Sequence, residues 1–265
     1  MPRILQLSDP HVVAPPGLLS KRFDSLALFA ATIDHILDSL PKIGPLDGII
    51  VTGDLVDQGD LESYQAFRGQ IERLGLPYFL IPGNHDGREA MRTCFADLEF
   101  VPQRGQFDWV RDFDGLRLIG LDTLIQGQGG GRLSPTSLDF LDQALLHSPN
   151  IAVLIAMHHP PFMSGLPFMD CIGLNDFQAL EKMLQAADNN IRIICGHLHN
   201  VITAELGGRT VVAGASCIST FPIDYREDAP GGFNTLPVGY MLHEWEMGFR
   251  STYVPMMSGS GPHPF

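Results

Sequence analysis

The sequence predicts an α/β fold with a largely parallel sheet, on three observations. Short apolar runs recur along the first half of the chain, amphipathic segments of helical length separate them, and each run ends on a cluster of polar residues. Strands alternating with helices form βαβ units, and βαβ units build parallel sheets. At 265 residues the whole chain, 1–265, fits one large α/β domain. Hydrophobic residues at 45% and charged residues at 18% are an ordinary globular balance, sufficient to bury a sizeable core.

Each element has its own signal. Ile4 to Leu7 reads as a strand, and Phe23 to Leu40 as a helix with Leu26, Phe29, Ile33, Ile36, Leu37 and Leu40 on one face. Gly48-Ile49-Ile50-Val51 is a second buried strand, Leu61 to Leu74 a second helix and Tyr78 to Ile81 a third strand. Beyond Phe107, the runs Trp109 to Phe113 and Leu116 to Leu121 flank Asp114-Gly115, a hairpin turn. Ser134-Pro135 opens a helix, with Ser as N-cap and Pro at the first helical position. Ile151 to Ala156 and Ile191 to Cys195 are further strands, on either side of a helix near Phe177 to Ala187. The Gly207-Gly208 turn and the runs Val238 to Glu246 and Phe249 to Val254 suggest an antiparallel section. Gly214 to Pro237 is irregular and too long for a simple connection, which marks it as a lid or a dimerisation insert. The tail Ser258 to Phe265 is expected to fray.

Charge and cysteine usage exclude several classes. The net charge of −13 and the lack of a basic stripe argue against long nucleic acids as partners. Four widely spaced cysteines without a CxxC pair read as buried free thiols. No apolar run approaches the ~20 residues that span a bilayer, and Arg3 to Leu7 runs directly into Asp9 without a signal peptide. The expectation is a soluble, cytoplasmic protein with no membrane partner, with room for a homo-oligomer (a dimer or higher).

Chemistry gathers at the strand ends. Asp9 and His11 follow the first strand, Asp54 the second, Asn84 and His85 the third; His158 follows Ala156, and His197 and His199 follow Cys195. Ligands of open α/β sheets bind at the carboxyl ends of strands, so five strand ends deliver metal-type side chains to one edge. Singly, each has a bland explanation: a hydrogen-bonded histidine, a turn aspartate. Six of the ten histidines fall in these segments, however, and independent coincidences multiply. Mixed carboxylate, imidazole and amide donors suit Mn, Fe, Zn or Co rather than Ca. A carboxylate such as Asp54 can bridge two ions about 3.5–4 Å apart, which activate a water and clamp a phosphoryl group.

The series Asp9-x-His11, Gly53-Asp54-x-x-Asp57, Gly83-Asn84-His85-Asp86, His158-His159-Pro160-Pro161 and Gly196-His197-x-His199 resembles the calcineurin-like metallophosphoesterase superfamily. Within it, the chain looks most like the bacterial class III cyclic-nucleotide phosphodiesterases and the related glycerophosphodiesterases, although Pro10 stands where these more often carry Thr. The resemblance implies a four-layer α/β sandwich of two mixed sheets flanked by helices. It implies Asp9, His11, Asp54 and His199 on one metal and Asp54, Asn84, His158 and His197 on the other. His85 would be the proton donor to the leaving oxygen, and Asp86 the carboxylate that orients its imidazole. His159 matches no ligand position, and Asp57 supports the loop or a ligand. The implied reaction is hydrolysis of a small phosphodiester, a cyclic nucleotide or glycerophosphodiester, by attack of a metal-bridging hydroxide.

Other readings fit less well. Protein Ser/Thr phosphatases of the superfamily carry arginine where this chain has Gln58 and end the third motif in Glu rather than Asp86, which weakens that reading; a phosphomonoesterase of the same superfamily stands as the alternative. The acidic balance opposes a nuclease, and a non-catalytic scaffold should have lost ligands that are all present here. The loops Phe162 to Asp176 and Gly214 to Pro237 are expected to wall the pocket, with Phe162, Phe168, Phe221 and Tyr225 available either to stack on a base or to pack the lid.

Overall fold

A computed structural model describes residues 1–146 and 151–256. The elements in order are β1 Arg3–Leu7, α1 Ser25–Ile43, β2 Gly48–Thr52, α2 Leu61–Ile71, β3 Tyr78–Ile81, α3 Arg88–Cys94, β4 Trp109–Phe113, β5 Leu116–Leu121, β6 Gly131–Arg132 and α4 Pro135–Leu146. They continue with β7 Ala152–Met157, α5 Pro167–Asp170, β8 Leu174–Asn175, α6 Gln178–Ala186, β9 Ile191–Cys195, β10 Ile202–Leu206, β11 Arg209–Ala213, β12 Gly239–Trp245 and β13 Phe249–Pro255. The tail Ser258 to Phe265 lies outside the described residues.

Helix boundaries follow local chemistry. The first helix begins two residues later than expected because Asp24 caps it, its carboxylate accepting from the Ala27 N–H. Asp60 caps α2 in the same way through Ser63. Ser134 caps α4 as expected, its hydroxyl accepting from the Ser137 N–H.

Two mixed sheets carry the fold. One has the order β13-β12-β1-β2-β3, the other β10-β11-β9-β7-β5-β4. The central strands of each run parallel, as the βαβ pattern predicts, while hairpin partners β12–β13, β10 and β4 add antiparallel pairings at the margins. The largely parallel sheet read from the first half is therefore two sheets, each antiparallel at its periphery. A short parallel pair, β6–β8, stands apart.

Alternation of side chains divides the core into three layers. Leu5, Leu7, Ile49 and Val51 face α1 and α2, packing on Phe29, Ile33, Tyr64 and Phe67. Ile4, Ile50, Phe79 and Ile81 face the other way, onto Trp109, Leu118, Leu154, Ala156 and Ile194 of the second sheet. The outer face of that sheet buries Ile155 and Ile193 against Leu141 of α4 and Leu180 and Leu184 of α6. The order is helix, sheet, sheet, helix. Each fully buried aliphatic or aromatic side chain contributes about 1.5–3 kcal/mol relative to exposure, so this layering holds the strand ends in fixed relation. Among the described residues, no helix is long and apolar enough to cross a membrane. The cysteines are unpaired; Cys195 and Cys217 are buried as expected, but Cys171 lies at the surface and Cys94 is half-buried.

Candidate active site

The carboxyl ends of β1, β2 and β3 in one sheet and of β7 and β9 in the other meet at one edge of the sandwich. Backbone bonds tie their loops together: the Asp9 N–H donates to Gly53 O, His11 to Asp54 O, and Gly196 to His158 O. Asp9, His11, Asp54, His197 and His199 all sit at positive φ, between 41° and 68°. This left-handed region is costly for side chains with a Cβ, and it turns five side chains sharply off their strands into one volume. Glycine is needed at two flanking positions. A Cβ on Gly83 would fall 2.2 Å from Asp54 Oδ1, and one on Gly53 would fall 2.3 Å from His158 Nδ1.

The donors form two facing sets. In the first, His11 Nε2 stands 3.3 Å from His199 Nε2 and 3.5 Å from Asp54 Oδ2, and His199 Nε2 is 3.6 Å from Asp9 Oδ1. In the second, His158 Nε2 stands 3.1 Å from Asn84 Oδ1, 3.2 Å from His197 Nδ1 and 3.4 Å from Asp54 Oδ2. Donor atoms each bound at about 2.1 Å to one ion lie roughly 3.0–3.4 Å apart, close to these spacings. One proton on His158 Nε2 can serve only one of its three neighbours. The same Asp54 oxygen faces both sets, as a bridging ligand must. The residues present thus fit a pair of metal ions.

Partners behind the rings fix their tautomers. His158 Nδ1 donates to Thr52 O at 2.8 Å, and His199 Nδ1 is held by Ser219 Oγ at 2.8 Å, which turns each Nε2 toward the cluster. Asp9 is held by the His197 N–H and the Ser8 hydroxyl. The buried His11 Nδ1 and His197 Nε2 have no hydrogen-bond partner.

Electrostatics separate the two carboxylates. Burial alone would raise Asp54, yet the imidazoles of His158, His11 and His85 hold it well below the usual range. Burial does raise Asp9, with the Asp54 charge adding to it against His158 and His11. Burial keeps His197 and His199 neutral, well below the ordinary histidine value. Against its burial, His158 is raised to about 9, chiefly by the Asp54 charge; that proton stands where an ion would bind.

His85 lies beside the clusters, 41% exposed at its side chain. Its Nδ1 donates to the Asp57 carbonyl at 2.9 Å and lies 3.5 Å from Asp57 Oδ1, leaving Nε2 for the pocket. Burial would lower its pKa, but the Asp57 hydrogen bond and the Asp54 charge raise it to about 10. It is Asp57, not the expected Asp86, that contacts the His85 ring. The Asp86 side chain turns the other way and is buried, accepting from the Gly83, Leu55 and Val56 N–H groups and from Tyr64 Oη. It holds the second and third strand-end loops together instead. Asp57 Oδ1 also lies 3.6 Å from His11 Nδ1, close enough for a charge interaction but not for a hydrogen bond. His159 approaches His158 and His197, but both its nitrogens are engaged, by Thr123 Oγ1 and Gly129 O.

A pocket of about 210 Å³ opens over the clusters, small for a ligand site. Its floor is His11, Asp54, Asn84, His85, His197 and His199. Its walls come from the two expected loops and from the segment after β1: Met169, Ile172, Phe221 and Phe233 with Leu19. Of the four aromatics singled out from the sequence, only Phe221 lines it, and one face of that ring is covered by His199 at 4.3 Å between centroids. Phe168 instead packs edge-on against Phe221, and Tyr225 is exposed. No lysine or arginine lines this pocket among the described residues.

A family model described as calcineurin-like phosphoesterase matches residues 2–201. A probable glycerophosphodiester phosphodiesterase of Arcobacter nitrofigilis is 31% identical over 265 residues, covering 99% of this chain and 96% of its own. A 3',5'-cyclic adenosine monophosphate phosphodiesterase of Pseudomonas aeruginosa is 30% identical, covering 86% and 82% respectively. Among solved structures, a dimetal phosphatase from Danio rerio superposes with a TM-score of 0.68 over 95% of each chain at 12% identity, a likeness of fold.

Proposed function

The chain belongs to the calcineurin-like phosphoesterase family, and on that premise we propose that it is a two-metal phosphodiesterase of a small phosphodiester, a cyclic nucleotide or a glycerophosphodiester. The observation that carries the diester reading is the pocket above the two donor sets, walled by apolar side chains and lined by no lysine or arginine among the described residues. A phosphomonoester is largely a dianion at pH 7 and gains from a guanidinium that grips its extra oxygen. A diester is a monoanion. Its second ester group offers carbon to Met169, Ile172, Phe221 and Phe233.

Asp9, His11, Asp54 and His199 would hold one ion, and Asp54, Asn84, His158 and His197 the other, with Mn, Fe, Zn and Co suited to this mix of oxygen and imidazole. Bound there, the pair supplies Lewis-acid clamping of the phosphoryl oxygens and an acidified water. His85 carries a proton toward the leaving oxygen from Nε2, and Asp57 keeps that proton on and the ring aligned. Residues 214–237 are read as a lid: Phe221 and Phe233 face the pocket, and the exposed Ile223, Tyr225 and Leu236 offer a surface to a second copy.

His85→Ala tests the acid role. With Mn added, alkyl diesters should lose about 10²–10⁴-fold in kcat, and bis-nitrophenyl phosphate far less, since nitrophenolate leaves without a proton. Equal losses on both would remove His85 from that role. Faster turnover of nitrophenyl phosphate than of its diester would sink the diester reading.

A further inference from the structure

A line of polar side chains, half-buried at Arg192 and Ser251 and fully buried from His243 onward, runs through the layer between the two sheets, behind the donor sets. Arg192 of β9 donates from NH1 to Ser251 Oγ on β13 at 2.8 Å, and Ser251 Oγ is 2.9 Å from His243 Nδ1 on β12. His243 Nε2 lies 2.8 Å from Gln6 Oε1 on β1. Gln6 Nε2 donates to Thr52 Oγ1 on β2 at 2.9 Å, Thr52 Oγ1 to Ser8 Oγ at 2.8 Å, and Ser8 Oγ to Asp9 Oδ2. Gln6, Ser8, Thr52 and His243 are each at most 1% exposed. Such groups have no place in an apolar layer unless they satisfy one another.

Fixed donors and acceptors orient most of these bonds. Arg192 donates to Ser251 Oγ, and a neutral His243 with its proton on Nε2 accepts at Nδ1 from the Ser251 hydroxyl. The Cys195 carbonyl, which can only accept, lies 3.0 Å from Gln6 Nε2 and fixes the amide's orientation. Gln6 Oε1 must then receive the proton of His243 Nε2. At the far end, an ionised Asp9 can only accept. The Thr52 hydroxyl has a second acceptor, Leu7 O at 3.3 Å, but Ser8 is the nearer. The chain thus points from a guanidinium to a carboxylate, each member donating toward Asp9.

We propose that Gln6, oriented by His243, is a positioning residue for Asp9, acting through the Thr52 and Ser8 hydroxyls. Their donor on Oδ2 leaves Oδ1, the oxygen facing His199 Nε2, turned toward the first donor set. Space around the chain is closed: a Cβ on Gly214 would meet the Gln6 amide at 2.6 Å, and one on Gly196 would meet Ser8 Oγ at 2.2 Å. Neither amide nor hydroxyl has another place to go.

This inference rests on Asp9 being a metal ligand, and the test separates the two. Mn²⁺ binding to metal-free protein is measured by titration calorimetry, beside the melting temperature of the same samples. Gln6→Met and Thr52→Val keep the volume and remove the donor; each should weaken Mn²⁺ at the affected site by about 10–100-fold, the usual cost of losing such support. Thr52→Ser restores the hydroxyl and should restore affinity. Gln6→Met combined with Ser8→Ala should bind no worse than Ser8→Ala alone, because both act through one hydrogen bond. Unchanged affinity in Thr52→Val, or losses that multiply in the double variant, would overturn the relay. Nitrogen NMR of His243 should show the Nε2–H tautomer, and the Nδ1–H form would overturn it as well. A wild-type chain that binds no Mn²⁺ would overturn the metal reading beneath it.

Discussion

Asp57→Asn changes little in shape and removes one charge. Asp57 Oδ1 lies 3.5 Å from His85 Nδ1. At that distance two unit charges interact by about 1.2 kcal/mol in bulk water and about 4.7 kcal/mol at an effective dielectric of 20. His85 is 41% exposed, so solvent screens the pair toward the lower figure. A loss of about 1.4–2.7 kcal/mol is expected, equivalent to a fall of roughly one to two pH units in the His85 pKa. Asp54 also holds the His85 proton, but cations on Asp54 would cancel much of its field, leaving Asp57 as the main support. An acid must be protonated to work, so lowering its pKa moves the alkaline limb of the kcat/KM profile to lower pH by that amount. The assay is a pH profile on an alkyl diester with Mn, taken beside bis-nitrophenyl phosphate. A limb that stays in place, or an equal fall at every pH on both substrates, would refute the assignment of Asp57 to His85.

Two further outcomes follow from the geometry. Gly83→Ala puts a Cβ 2.2 Å from Asp54 Oδ1 and must displace that carboxylate; it should cost about 1–3 kcal/mol in urea unfolding and weaken Mn²⁺ binding, and unchanged binding would contradict the bridging role. Burial raises Asp108 from 3.8 to about 6, against the Asp122 N–H and Ser137. The folded state therefore binds the extra proton, and stability falls as pH rises from 3.8 through 6, by about 3 kcal/mol at most. Asp108→Asn keeps the acceptor for the Asp122 N–H, so it should stabilise the protein by about 2–3 kcal/mol at pH 8 and change little at pH 4. An equal effect at both would refute the linkage.

The candidate ligands were legible because each follows a strand, and strand periodicity over four to six residues is a local signal. The supporting groups were not. Asp86 adjoins His85 in sequence, which suggested that it orients the ring, yet its side chain turns back onto the Gly83, Leu55 and Val56 N–H groups, away from the ring. Asp57, 28 residues from His85, reaches it only because the loops after β2 and β3 converge. Gln6 and Thr52 carried a faint signal, polar residues in otherwise apolar buried strands. His243, 237 residues from Gln6, carried none that sequence alone could join to it. The pair β6–β8, two residues a strand, and the seven-residue α3 are too short to show a period. The antiparallel pairing of β1 leaves no mark on the first half of the sequence, because its partner β12 lies more than 230 residues downstream.

Five of the seven candidate ligands hold left-handed backbone. At roughly 1–2 kcal/mol for each non-glycine residue, somewhat less for Asp, their combined cost is of the order of a typical domain's entire net stability. Hydrogen bonds such as Asp9 N–H to Gly53 O and His197 N–H to the Asp9 carboxylate offset part of that strain. Exchanging such a ligand for glycine should then yield a sturdier protein, provided that the chain no longer needs metal. A lineage released from catalysis would drift downhill in this direction, shedding its ligands while the sandwich around them grew firmer. This chain keeps all seven candidate ligands, five of them in that costly backbone.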